Sequence, residues 1–99
     1  MSAVERSPVI AVDVNGADDP RAAIAGARDA AESHGVRVLL FGAGVAAFGG
    51  GLIEAVEAPI SVAKDPDPAR AVRREPESSI VQAARAVADG RADALVSGG

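Results

Sequence analysis

Four short apolar runs, separated by polar or helically periodic stretches, set out the plan of this chain. Pro8 to Val14 is a run of Val, Ile and Ala that closes on Asp13-Val14-Asn15-Gly16, and Val36 to Phe41 is a second, broken only by Arg37. Unalternating runs of this length fit strands buried on both faces. Between them Asp18 or Asp19 precedes Pro20 as a helix cap, and Ile24, Ala27, Arg28 and Ala31 recur at helical spacing until His34-Gly35 stops the helix. Leu52 to Ala58 mixes Ile53 and Val56 with Glu54 and Glu57; its period is ambiguous, and we read it as a strand ended by Pro59. Ile60 to Pro68, with its prolines and the acids Asp65 and Asp67, reads as an extended excursion, a kind of loop that is often functional. A short helix follows from Ala69, and Pro76 separates it from the most regular helix of the chain. That helix is capped by Ser78 or Ser79, carries the stripe Ile80, Ala83, Ala84, Val87 and Ala88, and ends at Gly90. Asp93 to Ser97 reads as a last strand, and Gly98-Gly99 opens the loop at its carboxyl end.

Strands alternating with helices and short connections predict an α/β layer structure. Its sheet should be mainly parallel, with strands near 9 to 14, 36 to 41, 52 to 57 and 93 to 97 and right-handed crossovers. Residues 1–7 lie ahead of the first run and read as a flexible N-terminus. The chain has 99 residues, enough for one small domain, and 23 of them are Ala, so the core should be thin and the helices close to the sheet. Phe41 and Phe48 are the sole aromatic residues.

Charge and residue usage remove several function classes. Ten basic against fourteen acidic residues give a formal charge of −4, and with no Tyr or Trp for base stacking this argues against nucleic-acid binding. The absence of Cys excludes disulfides, thiolate catalysis and Cys-ligated zinc, and a single His, His34, makes a His-based metal site a poor fit. His34 itself sits where a cation favours a helix end. No run approaches the roughly 20 apolar residues of a membrane span and Met1 to Ser7 lacks a signal-peptide core, so we expect a cytoplasmic location and at most peripheral membrane association.

Candidate chemistry concentrates in Arg70-Ala71-Val72-Arg73-Arg74-Glu75-Pro76-Glu77-Ser78-Ser79. Guanidinium forks, serine hydroxyls and a helix start together outline an anion site, and equally a solvated basic turn followed by an ordinary cap. Gly42-Ala43-Gly44-Val45-Ala46-Ala47 matches the dinucleotide fingerprint, with Asp65 near the distance of a ribose-binding acid. We reject that reading, because Gly49-Gly50-Gly51 stops any helix after little more than one turn. Asp13 and Asp18, after the first strand, are candidates both for capping the next helix and for a place in a site.

These motifs resemble those of the bacterial phosphate acyltransferases of fatty acid and phospholipid synthesis, the PlsX family. Asp13-Val14-Asn15-Gly16-Ala17-Asp18 is similar to the family's opening Asp-Ala-Met-Gly-Gly-Asp at both acids and the first Gly. Arg70-Ala71-Val72-Arg73-Arg74 with Ser78-Ser79 resembles its Arg-Ala-(Val/Leu)-Arg-Arg-Lys-x-x-Ser-Ser, and Arg91-Ala92-Asp93-Ala94-Leu95-Val96-Ser97-Gly98-Gly99 its Ala-Asp-Ala-x-x-Ser-Ala-Gly. Glu75 and Pro76 stand where the family has basic residues, and Ala43 replaces an acid. The resemblance covers nearly the whole chain but only the N-terminal part of the family's longer proteins, so residues 8–99 are expected to be a truncated part of such a domain.

The resemblance implies a three-layer Rossmann-like fold of the isocitrate/isopropylmalate dehydrogenase kind. It implies transfer of an acyl group from acyl carrier protein to phosphate with no cofactor, no metal and a homodimer in the complete enzyme. On that basis Asp13 and Asp18 are candidate catalytic residues, and Arg73, Arg74, Ser78, Ser79, Ser97, Gly98 and Gly99 are candidate phosphate-binding residues. Arg70 is a candidate for contact with the acidic carrier protein, a role that Arg73 and Arg74 would also suit. Two other functions remain open on sequence: a non-catalytic phosphate-binding or interaction module, and a nucleotide-binding half-domain resting on the hexamer at Gly42. An open four-strand sheet leaves two edges unpaired, so the 99-residue chain alone is expected to be marginally folded and to give no phosphate-dependent acyl phosphate from acyl carrier protein substrates. Cooperative unfolding with measurable product would overturn this.

Overall fold

The apolar runs do form strands, and the periodic stretches between them form helices. The computed structural model describes residues 7–98, so most of the expected flexible segment 1–7, and Gly99, lie outside the described residues. In chain order the elements are β1 (Val9–Asp13), α1 (Pro20–His34), β2 (Arg37–Gly42), a single 3₁₀ turn (Ala46–Phe48), β3 (Ile53–Glu57), α2 (Pro68–Arg74), α3 (Ser79–Ala88) and β4 (Ala94–Ser97). The ambiguous third run is a strand.

Caps account for the helix limits. At α1 it is Asp19, and not Asp18, that accepts from the Ala22 N–H at 3.2 Å, with Pro20 in the first turn. At the other end Gly35 adopts φ 67°, a left-handed conformation that suits glycine, and its N–H reaches the Ala31 carbonyl. Asp67 caps α2 through the Arg70 N–H at 3.2 Å.

All four strands pair in parallel in the order β3-β2-β1-β4. The chain therefore adds β2 and β3 on one side of β1, then crosses back to place β4 on the other. Each side chain of a strand faces the opposite side from its neighbour, and both sides are covered. Val14, Val38, Leu40 and Ile53 pack with Ile24, Ala27 and Ala31 of α1 on one face. Ala11 and Phe41 pack with Ala83 and Ala86 of α3 on the other. A reversal of strand order with a switch of helix layer is what two crossovers of one hand require. The result is a three-layer α/β/α arrangement of the Rossmann type.

The buried stripe of α3 differs from the one its sequence predicts. Ser79, Ala83 and Ala86 face the sheet, whereas Ala84 and Ala88 are exposed. The helix is turned about its axis because the Ser79 hydroxyl is anchored on Asp13 at 2.5 Å. β4 forms one edge of the sheet, with Val96 55% exposed.

Leu40 is fully buried in the α1 layer. Leu40→Ala is expected to cost about 2–5 kcal/mol of unfolding free energy and Leu40→Met less than about 1.5 kcal/mol. Urea unfolding of the three proteins measures both, and equal losses would contradict the packing described.

Candidate functional site

A parallel sheet whose strand order reverses opens a crevice beyond the carboxyl ends of the two strands that diverge. Here those strands are β1 and β4, and a cavity of about 300 Å³ lies at their ends. Its polar wall holds Asp13, Ser61, Ser79 and Ser97, its apolar wall includes Val62, Val72 and Ile80, and Lys64 and Asp65 also line it. The volume falls at the lower limit of small-molecule sites.

Asp13 organises the polar wall. It is the last residue of β1 and is 4% exposed. Its register partner across the ladder is Ser97, so their side chains share a face, and the Ser97 hydroxyl donates to Asp13 Oδ2 at 2.8 Å. From the layer above, the Ser79 hydroxyl at the start of α3 donates to Asp13 Oδ1 at 2.5 Å. Ser79 is itself held by its N–H, which donates to the Ile60 carbonyl at 3.0 Å. Short bonds to a carboxylate are charge-assisted and about twice as strong as neutral ones.

The remaining predicted residues separate into those near this cavity and those away from it. Asp18 is exposed and does not line it. Arg70, Arg73 and Arg74 are exposed on α2, outside the lining, and Arg74 meets Asp65 at 3.4 Å. Ser78 is fully buried at the N-cap of α3, yet its hydroxyl does not cap the helix and among the described residues has no hydrogen-bond partner. Gly98 lets the end of β4 approach the first loop: a Cβ there would stand 3.1 Å from the Ala17 Cα. Gly99 is outside the described residues.

Sequence reasoning flagged the loop at 60 to 68 without naming Lys64 or Ser61. Lys64 has φ 68°, in a turn closed by the Asp65 N–H on the Val62 carbonyl at 3.2 Å. A non-glycine residue held left-handed costs about 1–2 kcal/mol. Only the prolines around it signal a turn in the sequence. Among the described residues no group of His, Cys, Asp and Glu is arranged to hold a metal ion, and no helix is long and apolar enough to cross a membrane.

Residues 9–99 match the family described as "Fatty acid synthesis protein". The chain belongs to this family. It is similar to the phosphate acyltransferase of Desulforamulus reducens, 44% identical over 100 residues that cover 91% of this chain and 29% of that protein. The phosphate acyltransferase of Desulforudis audaxviator is 43% identical over 95 residues, covering 91% of this chain and 28% of its own length. That of Levilactobacillus brevis is 55% identical over 47 residues, 48% of this chain and 14% of that protein. The chain thus spans under a third of the length of these curated relatives.

In this chain the glycine-containing hexamer at Gly42 is already occupied from within. The Ala43 N–H donates to Asn15 Oδ1 at 2.9 Å, the Gly44 N–H to Glu57 Oε2 at 2.6 Å and the Val45 N–H to Glu57 Oε1 at 3.2 Å. A dinucleotide pyrophosphate would need those amides. After them the chain makes one 3₁₀ turn and no α-helix. The nucleotide-binding alternative therefore fails at this loop. Glu57→Ala is expected to raise amide exchange at Gly44 and Val45 by about tenfold, since each loses a charge-assisted bond. Unchanged protection of both amides would show that Glu57 does not hold the loop.

Proposed function

We propose that this chain is the N-terminal part of a phosphate acyltransferase that moves an acyl group from acyl carrier protein to inorganic phosphate. The observation that carries the reading is the cavity at the strand-order reversal, lined by Asp13, Ser79 and Ser97 together with the apolar Val62, Val72 and Ile80. Its support from relatives is their name, phosphate acyltransferase.

The reaction asks little covalent chemistry of the protein. A phosphate oxygen attacks the thioester carbonyl, the carbon–oxygen bond forms, the carbon–sulfur bond breaks, and the sulfur leaves as a thiol with the proton that phosphate gives up. Catalysis then consists of holding the two reactants in contact and matching the charge that develops on the carbonyl oxygen. Ser79, Ser97 and Lys64 are assigned to phosphate, and the apolar Val62, Val72 and Ile80 to the acyl thioester. Asp13 holds the serines. Neither the buried Ser78 nor the exposed Asp18 lines the cavity.

The arginines fit the carrier protein better than the phosphate. α2 contributes Pro68 and Val72 to the cavity while Arg70, Arg73 and Arg74 remain in solvent beside it. Among the described residues Arg70 and Arg73 form no ion pair. Exposed guanidiniums next to a cavity raise the encounter rate of an acidic partner in a salt-dependent way. A cytoplasmic homodimer is the form proposed for the complete enzyme.

The test is phosphate-dependent formation of acyl phosphate by the complete enzyme. Ser79→Ala and Ser97→Ala are expected to lower kcat/KM for phosphate by about tenfold or more each. Arg70→Ala with Arg73→Ala is expected to raise KM for the acyl carrier protein, with a smaller effect at high salt, and to leave the KM for phosphate unchanged. No acyl phosphate from the complete enzyme would sink the reading.

A further inference from the structure

Of the three serines that line the cavity, Ser79 and Ser97 are not free donors, whereas Ser61 accepts from the Ala63 N–H at 3.2 Å and keeps its proton for a ligand. A serine carries one hydroxyl proton. Ser79 directs its proton to Asp13 Oδ1 and Ser97 to Asp13 Oδ2. What Asp13 and Ser79 offer a ligand is therefore acceptor capacity: the Ser79 hydroxyl oxygen and the lone pairs left on the carboxylate. Asp13 is 4% exposed, so water screens its charge poorly.

Such a wall treats two tetrahedral oxyanions of nearly equal size differently. At neutral pH inorganic phosphate still carries a P–OH, which can donate to an acceptor. Sulfate carries no proton, and meets the same carboxylate as a like charge with no hydrogen bond to offset it. We infer that Asp13, with Ser79 and Ser97, is the specificity determinant that admits a protonated oxyanion and rejects an unprotonated one, the P–OH of phosphate donating to this wall. Lys64, which lines the same cavity and among the described residues has no ion pair, supplies the opposite charge. The inference rests on the phosphate reading above and adds which form of the ion the site takes and what it excludes.

Calorimetric titration of the whole protein with inorganic phosphate and with sulfate, at equal ionic strength and neutral pH, tests it. Phosphate is expected to bind saturably and sulfate at least about tenfold more weakly, the discrimination of one charge-assisted hydrogen bond. Asp13→Asn, which keeps the shape of the side chain but removes its charge and supplies an N–H, is expected to bring the two affinities within about threefold. Equal binding of both ions by the wild type overturns the inference and leaves the phosphate reading intact. Saturation by neither ion removes the phosphate reading and the inference with it. An undiminished preference in a folded Asp13→Asn protein assigns selectivity elsewhere and overturns the role of Asp13. Where the variant does not fold, equal affinities of the wild type for the two ions still overturn the inference.

Discussion

A carboxylate taken out of water must be met by donors, and at Asp13 they come from residues 66 and 84 positions further along the chain. A buried charge left without partners costs several kcal/mol, whereas each hydrogen bond to it contributes about 1.5–3 kcal/mol. The requirement ties three elements to one point. It fixes where β4 stops against β1, because Ser97 must stand opposite Asp13. It also fixes the rotation of α3, because Ser79 must point down at the sheet. With Ser79 inward, Ala83 and Ala86 follow it at helical spacing and are fully buried. Their small side chains let the helix lie close enough for a serine hydroxyl to reach a strand.

The other half of the same sheet edge is built in the opposite way. Asn15 donates to the Ala58 carbonyl at 2.8 Å and accepts from Ala43, and Glu57 takes two further amides of the second loop. Gly42 is needed there, since a Cβ would stand 3.0 Å from that of Val14. Donors and acceptors on this side satisfy one another. On the β1/β4 side the polar groups converge on a cavity instead. One sheet edge thus separates a loop cluster that stabilises the fold from a space that can hold a ligand.

Much of this was legible in the sequence, for physical reasons that also show where legibility ends. Strands buried on both faces leave apolar runs, and α1 begins at an Asp-Pro and ends at a glycine whose φ is positive. These are local signals. The orientation of α3 is not local, because its alanines are equally apolar on two adjacent faces and only the bond to Asp13 distinguishes them. The placement of the arginines is not local either. In sequence they adjoin Ser78 and Ser79, but α2 ends at Arg74 and the chain turns through Glu75 to Glu77 before α3 begins. That break points the guanidiniums to solvent and Ser79 to the sheet. Lys64 was hidden because a left-handed lysine has no signature of its own.

Counting charges along this stretch would also mislead. From Lys64 to Glu77 there are as many acids as bases, so the segment is not basic by composition. Position decides which of them a partner meets. Asp65 faces Arg74 at 3.4 Å, Asp67 is engaged by the first turn of α2, and Glu77 meets Arg85 at 3.5 Å. Arg70 and Arg73 are left with no ion pair among the described residues. Charges further than about 8 Å are largely screened at physiological ionic strength, so an approaching acidic surface responds to these two guanidiniums more than to the net charge of the chain. Both flank Val72, which lines the cavity. On the proposed function, a carrier held at the arginines delivers its thioester past Val72 toward the serines on Asp13, which requires α2 to border the cavity, as Pro68 and Val72 do.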